Sequence, residues 1–232
     1  MWYWQTELNA DWRGSYCFIP SMDDRPLRVD GADAHANMHA RRHWWHQVFA
    51  GATHDLLNPY RSWPAAGGNI VSGLHMPKAP PQPPGAILTT MTSPAAAAFR
   101  RRRRVCSTIP GTAKRLGNSR KVWVYTTGDA DAAQRPLAIL LDGQFWAQQM
   151  PVWDPLMRMT REGQLPAAVY VLIDIIDLPH RARELGCNAE FWLALQEELL
   201  PQLAQWAPHS AEAARTVVAG QSFGGLSALY AG

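Results

Sequence analysis

Thr216-Val217-Val218-Ala219-Gly220-Gln221-Ser222-Phe223-Gly224-Gly225 is the stretch whose reading decides the fold. An apolar β-type run stops at Gly220, and Ser222 stands between two glycines at the spacing Gly-x-Ser-x-Gly. A helix-compatible run, Leu226 to Ala231, follows at once. This is the pattern of a nucleophile elbow. There a strand turns so sharply into a helix that only small residues fit two positions either side of the serine. The turn lifts the Ser222 Oγ out of the sheet. It also sets the Phe223 N–H at a helix start, where it can meet a developing negative charge. The plain alternative is a helix N-cap serine at a tight turn.

Upstream of the elbow, residues 118–232 alternate between strand and helix. Lys121 to Thr127 reads as a strand, Leu137 to Leu141 as a short apolar strand ending in Asp142-Gly143, and Ala168 to Asp174 as another buried strand. Between them, Phe145 to Arg161 predicts a helix broken at Pro151 and Pro155. Asn188 caps a helix to about Trp206, with Phe191, Leu195, Leu199 and Leu203 on one face and a kink expected at Pro201. Thr216 to Gly220 is the last strand. Continuous apolar strands separated by helices predict an α/β fold, a parallel sheet with both faces covered. In such sheets chemistry gathers at the carboxyl ends of the strands. Asp142-Gly143-Gln144, the loop from Asp174 to Arg183, and Ser222 all belong there.

The rest of the chain is organised differently. Residues 1–20 predict a β-hairpin, with Trp2 to Leu8 and Ser15 to Ile19 as its strands and Asn9 to Gly14 as its turn. A hairpin alone is marginal in water, so residues 1–58 are expected to be part of a β domain whose earlier strands precede Met1. A short helix is predicted from Arg41 to Phe49. It brings His39, His43 and His46 to i, i+3 and i, i+4 spacings, but no nearby carboxylate or Cys completes a metal site, so a polar helix face is expected and no protein metal. Residues 59–117 read as a linker. Eight of the eighteen Pro fall between Pro59 and Pro94, followed by an Ala run and the five arginines Arg100 to Arg104. No aromatic interleaving accompanies those arginines, so a solvated linker is expected and not a nucleic-acid site.

Composition agrees with that division. The 232 residues suffice for one large domain or two small ones, and 47% hydrophobic residues allow a real core. A formal charge of +3 is mild and does not imply a nucleic-acid partner. The three Cys, Cys17, Cys106 and Cys187, are far apart and odd in number, which suits a reducing compartment. No apolar run is long enough for a membrane span, and no leader-like start is present, so a cytoplasmic protein is expected. The eleven Trp divide between core positions and, for some, a pocket for a flat aromatic ligand.

Ser222 is the candidate nucleophile. An acyl-transfer serine needs oxyanion donors. Phe223 N–H supplies one, and Gln144 N–H, after the close-approaching Gly143, is the candidate for the other; an ordinary strand-end turn is the alternative. Arg181 either binds an anionic substrate group by paired hydrogen bonds or forms a structural pair with Glu184. The activating base is missing from the pattern. Only ten residues follow Ser222, and none is Asp, Glu or His. His180 and His209 lie upstream, and His209 belongs at the opposite end of the sheet. The expectation is a piece of an esterase, cut at both ends and inactive by itself.

Six segments resemble the enterochelin (ferric enterobactin) esterase family: LNADWRGSYCFIP (8–20), NSRKVWVYTTGD (118–129), RPLAILLDGQFWAQQMPVW (135–153), LPAAVYVLIDIID (165–177), HRARELGCNAEFWLALQEELLP (180–201) and RTVVAGQSFGGLSALYAG (215–232). Residues 86–117 do not share the likeness. The resemblance implies a remnant of an N-terminal immunoglobulin-like β-sandwich ahead of a partial α/β-hydrolase domain. It implies Ser222 as nucleophile, Gln144 and Phe223 as oxyanion donors and Arg181 as an active-site residue. It also implies hydrolysis of the trilactone of iron-loaded enterobactin in the cytoplasm. The partner is then a ferric siderophore, and no cofactor is needed, because iron arrives with the substrate. Another acyl-ester hydrolase or acyltransferase of the same fold, or a non-catalytic remnant, are the alternatives.

Overall fold

The computed structural model describes residues 5–20, 33–60, 62–65, 69–80 and 106–232. The chain divides into two compact units, Met1–Ala97 and Ala98–Gly232.

The first unit holds β1 (Arg13–Tyr16), α1 (Ala34–Phe49), β2 (Trp63–Pro64) and β3 (Ile70–His75). They form a three-stranded antiparallel sheet in the order β1-β3-β2. The hairpin expected over residues 1–20 is not the pairing that forms. β1 pairs with β3, Tyr16 opposite Ser72, and Phe18 bridges to Thr53. Residues 5–8 are not strand, and 1–4 lie outside the described residues. The turn at Asn9 is present, closed by Trp12 N–H on the Asn9 carbonyl. A polar knot ties the sheet to its loop. The Tyr16 hydroxyl donates to Asp55 at 2.6 Å, Asp55 N–H donates to the buried Ser72 Oγ at 2.9 Å, and Asn58 Nδ2 donates to the Gly73 carbonyl at 2.8 Å. α1 begins seven residues earlier than predicted (Ala34 against Arg41), because the Asp33 carboxylate caps it by accepting from His35 N–H.

β2 and β3 fall inside the stretch 59–117 that composition assigned to a linker, and so does β4 (Cys106–Ala113). The Pro80-to-Pro84 run beyond Pro80 and the arginines Arg100 to Arg104 lie outside the described residues.

The second unit continues with β5 (Asn118–Thr126), β6 (Leu137–Leu141), α2 (Trp153–Arg161), β7 (Val169–Ile173), α3 (Leu178–Leu185), α4 (Ala189–Ala194), α5 (Leu200–Trp206), β8 (Thr216–Ala219) and α6 (Phe223–Ala231). The sheet order is β4-β5-β7-β6-β8. β7, β6 and β8 run parallel, but β5 is antiparallel to β7 and to β4. The sheet is therefore mixed, and the wholly parallel sheet expected from the sequence is corrected at that edge. A nine-residue strand following β4 through a tight turn returns antiparallel by necessity, since a parallel return needs a long crossover.

β6, β7 and the second half of β5 are covered on both faces, which explains their apolar runs. Val122, Val124, Ile139, Val171 and Ile173 pack with Phe191, Trp192, Leu195 and Leu203 on one face. Trp123, Tyr125, Tyr170 and Leu172 pack with Trp146, Trp153, Leu156 and Met157 on the other. All five residues of β7 are buried. Each such large apolar side chain contributes about 1.5–3 kcal/mol. The kink expected at Pro201 is taken up as a π-turn over Leu195–Leu199, which joins α4 to α5. Proline has no N–H to give and its ring crowds the carbonyl four residues back, so a wider turn absorbs both defects.

Candidate active site

β6 and β8 lie side by side in parallel register, Leu140 opposite Ala219. The segments that follow them, Asp142-Gly143-Gln144 and Gly220-Gln221-Ser222, leave the sheet at the same end. The loop after β7 and the start of α3 leave there too, because β7 is parallel to β6 with Ile173 opposite Leu141.

Ser222 has φ 55° and ψ −121°, and α6 starts at the next residue. This is a strained conformation for a residue with a side chain, of order 1–3 kcal/mol, and it persists only where the surroundings over-determine it. The surroundings are the two flanking glycines. A Cβ on Gly220 would stand 2.4 Å from the Gly224 carbonyl carbon, and one on Gly224 would stand 3.1 Å from the Asp142 carboxylate. Strand end and helix start are thus in backbone contact, and the helix start rests on the turn after β6. Ser222 is exposed to solvent. Phe223 is the first residue of α6, so its N–H has no acceptor within the helix.

Gln144 lies in the first helical turn after β6, between Gly143 and the π-turn Phe145–Gln149. Gly143 is fixed by close approach. A Cβ there would meet the Ile173 nitrogen at 2.4 Å and the Leu172 carbonyl carbon at 2.5 Å. The loop that carries the Gln144 N–H is therefore pressed onto the backbone of β7.

Arg181, on α3, reaches into this cluster. Its Nε donates to Asp142 Oδ1 at 2.5 Å and its Nη2 to Asp142 Oδ2 at 3.0 Å. The same Nη2 donates to the Gln221 carbonyl at 3.0 Å, and the guanidinium stands 5.7 Å from the Phe223 ring centre. The Asp142 hydrogen bonds raise the Arg181 pKa further above its ordinary value, against the opposing effect of burial. The Arg181–Glu184 pair considered from the sequence is absent. Glu184 instead pairs with Arg120 of β5 at 2.7 Å, and both side chains are almost wholly buried, at 3% and 5% exposed. The pair is closed by Asn118, whose Nδ2 donates to Glu184 Oε1 at 2.8 Å while its Oδ1 accepts from Arg120 Nη2 at 2.8 Å.

Sequence reasoning missed both carboxylate partners. Asp142 was seen only as part of a turn, although an acid ending one strand and an Arg opening the helix after its neighbour are the signal for such a pair. Arg120, flanked by Ser119 and Lys121 in the polar first half of β5, carried no such signal for Glu184.

His180 and His209 are placed differently. His209 Nδ1 lies 2.8 Å from the Ala207 carbonyl, in the loop leading to β8, and Ser210 N–H bonds to Arg135, just before β6. That loop is at the opposite end of the sheet from Ser222. His180 is at the right end, at the start of α3, with Nδ1 2.7 Å from Asp177 Oδ1. Asp177 caps α3 by accepting from His180 N–H at 2.8 Å. That backbone bond, and next the His180 ring, hold the Asp177 carboxyl below the usual carboxylate range. A carboxyl whose folded pKa is depressed adds stability that is complete above its unfolded value and is lost as pH falls through the folded value. NMR titration should place the Asp177 midpoint below that of an ordinary aspartate. His180→Ala, which keeps the backbone bond, should move that midpoint part of the way up. A midpoint at or above the ordinary value would show that the cap does not operate in solution.

Among the described residues, no three His, Cys, Asp or Glu side chains converge on a point that could hold a metal ion. His43 of α1 lies 3.0 Å from Gln47 Nε2. No helix among the described residues is long and apolar enough to cross a membrane.

Residues 1–84 match the family described as "Enterochelin esterase, N-terminal", and residues 113–232 match the family described as "Putative esterase". The chain is 53% identical to the iron(III) enterobactin esterase of Escherichia coli O6:H1, over all of this chain and 54% of that protein. It thus spans about half the length of the curated relatives it matches. The crystal structure of ferric enterobactin esterase from Salmonella typhimurium superposes with a TM-score of 0.81 at 50% identity, covering 98% of this chain and 55% of that one. The enterobactin esterase of Shigella flexneri, crystallised in the presence of enterobactin, gives a TM-score of 0.76 at 52% identity, with 97% and 53% covered. A strained serine at a strand-to-helix turn, set on a mixed α/β sheet and matched over its whole length, leads to one conclusion: the chain belongs to the esterase family, with the N-terminal module of the enterochelin esterases ahead of its esterase domain.

Proposed function

We propose that the protein is a serine carboxylic ester hydrolase that opens the trilactone of ferric enterobactin in the cytoplasm, releasing dihydroxybenzoyl-serine units and making the iron available. The observation that carries this reading is Ser222 itself, held at φ 55° at the junction of β8 and α6 and exposed to solvent. The likeness to enterobactin esterases at 50% identity and above supports the substrate.

In this reading the Ser222 Oγ attacks a lactone carbonyl. The oxygen of the tetrahedral intermediate is met by the N–H groups of Phe223 and Gln144, each aimed from a helix start. Removal of such a donor typically costs about 10²–10³ in kcat. Collapse of the intermediate expels the seryl alkoxide of the ring, which leaves as an alcohol once protonated, and water then hydrolyses the acyl-enzyme. Among the described residues, neither His180 nor His209 is bonded to Ser222. We infer that a His and an acid other than these activate Ser222. A ferric tris-catecholate is an anion with flat rings, which suits cationic and aromatic side chains. The iron is cargo, so the protein needs no metal of its own.

The test is direct. Full-length protein incubated with ferric enterobactin should yield linear dihydroxybenzoyl-serine trimers, dimers and monomers by mass spectrometry. A fluorophosphonate should label Ser222. Labelling without hydrolysis of the trilactone would keep the serine and overturn the substrate.

A further inference from the structure

Two residues with side chains sit at positive φ at the ends of neighbouring strands: Asp142 after β6, at 59°, and Ser222 after β8, at 55°. Both conformations cost energy and need an external hold. One guanidinium touches both turns. Arg181 binds the Asp142 carboxylate with two N–H groups and the Gln221 carbonyl, immediately before Ser222, with a third hydrogen bond. The Asp142 carboxylate in turn lies against Gly224, in the first turn of α6.

α3, which carries Arg181, is itself pinned. One turn further on, Glu184 is locked into the buried pair with Arg120, and Arg120 Nη1 also donates to the Asp174 carbonyl at 3.3 Å, just past β7. A small cavity lies between the two charge pairs, lined by Arg120, Asp142, Arg181 and Glu184 together with Leu141 and Phe191. The chain of contacts therefore runs from β5 through Glu184 and α3 to Arg181, and from there to the turns after β6 and β8.

We propose that Arg181 and Asp142 are positioning residues for Ser222, anchored through α3 by the buried Arg120–Glu184 pair, rather than ligands of the substrate. This rests on Ser222 being the nucleophile. It follows that the guanidinium acts on the direction of the Ser222 Oγ and on the mutual placement of the two oxyanion donors. Displacing reacting groups by about 1 Å can cost on the order of 100-fold in rate.

The experiment uses the full-length protein and two substrates, the trianionic ferric trilactone and an uncharged p-nitrophenyl ester. Arg181→Met should lower kcat by roughly 10- to 100-fold on both, with KM changed less than about twofold. Asp142→Asn should give a similar loss. The double variant should be little worse than either single one, because both remove one device. The rate of fluorophosphonate labelling at Ser222 should fall in parallel. Arg181→Lys, which restores a charge but not the fork, should recover part of kcat.

Two results overturn the proposal. One is a raised KM for the anionic substrate with unchanged turnover of the neutral ester, which marks a substrate ligand. The other is additive losses in the double variant. If Arg181→Met does not fold, Arg181→Lys and Asp142→Asn carry the same comparison. Unchanged turnover in Ser222→Ala would sink the nucleophile reading instead; a dead Ser222→Ala beside a fully active Arg181→Met would sink this proposal alone.

Discussion

Ser222→Ala in the full-length protein is expected to lower ester hydrolysis by at least about three orders of magnitude, with the fold and substrate affinity intact. The size follows from the role. Loss of a nucleophile removes the covalent route altogether, and what survives is the catalysis that oxyanion donors and binding supply by themselves, typically about 10³–10⁴ over water. The fold is expected to survive because Ser222 is exposed, makes no side-chain cap to α6, and holds its φ of 55° through its neighbours. Ala tolerates that φ no worse than Ser. The measurement is kcat and KM on the ferric trilactone, with binding followed separately by quenching of Trp fluorescence. A variant that still turns over within tenfold of the natural protein would remove Ser222 from the chemistry.

The second large effect concerns stability. Arg120→Met should destabilise the esterase unit by about 3–5 kcal/mol, because it leaves Glu184 as a buried carboxylate whose cation is gone. The residues around it give no substitute. Asn118 has one Nδ2 group on Glu184, and the Arg120 guanidinium also supplied the hydrogen bond to the Asp174 carbonyl and the stacking, 5.7 Å, on Phe191. Arg120→Met combined with Glu184→Leu should recover most of the loss, since a packed apolar pair of similar volume is often as stable as the ion pair it replaces. Urea unfolding followed by circular dichroism reads both changes. A loss under about 1 kcal/mol for Arg120→Met would mean that water reaches the pair in solution.

Much of the second unit was legible in the sequence, and the reason is burial on both faces. β6 came out at its observed bounds, Leu137–Leu141, and β7 within one residue at each end, because neither strand has a solvent side to interrupt its apolar run. Asn188 was read as a cap and is one, accepting from Glu190 N–H. β4 was not legible. It contains Pro110 and Gly111, which argue against a strand, and it follows an Ala and Arg run that reads as linker. It is nonetheless an edge strand, and an edge is where a residue without an N–H is tolerated. β3 was hidden in the same way by the prolines around it.

The candidate site was legible where it is local. Gly220, Ser222 and Gly224 stand within five residues, and their spacing alone encodes the turn. Arg181 was singled out, but its partner was not, because Asp142 is 39 residues away and comes close only through the parallel pairing of β6 and β7. Local spacing cannot carry that information. The same holds for Glu184 and Asn118, 66 residues apart.

The contact of Gly143 with the main chain of Ile173 and Leu172 has a further consequence. The turn that presents Gln144 takes its position from peptide planes of the central strand, which every residue type shares. Its location is thus insulated from drift in the side chains around it. Substitutions along β7 can reshape the core without re-aiming the turn. The one position where that freedom ends is the glycine that lets the two backbones meet.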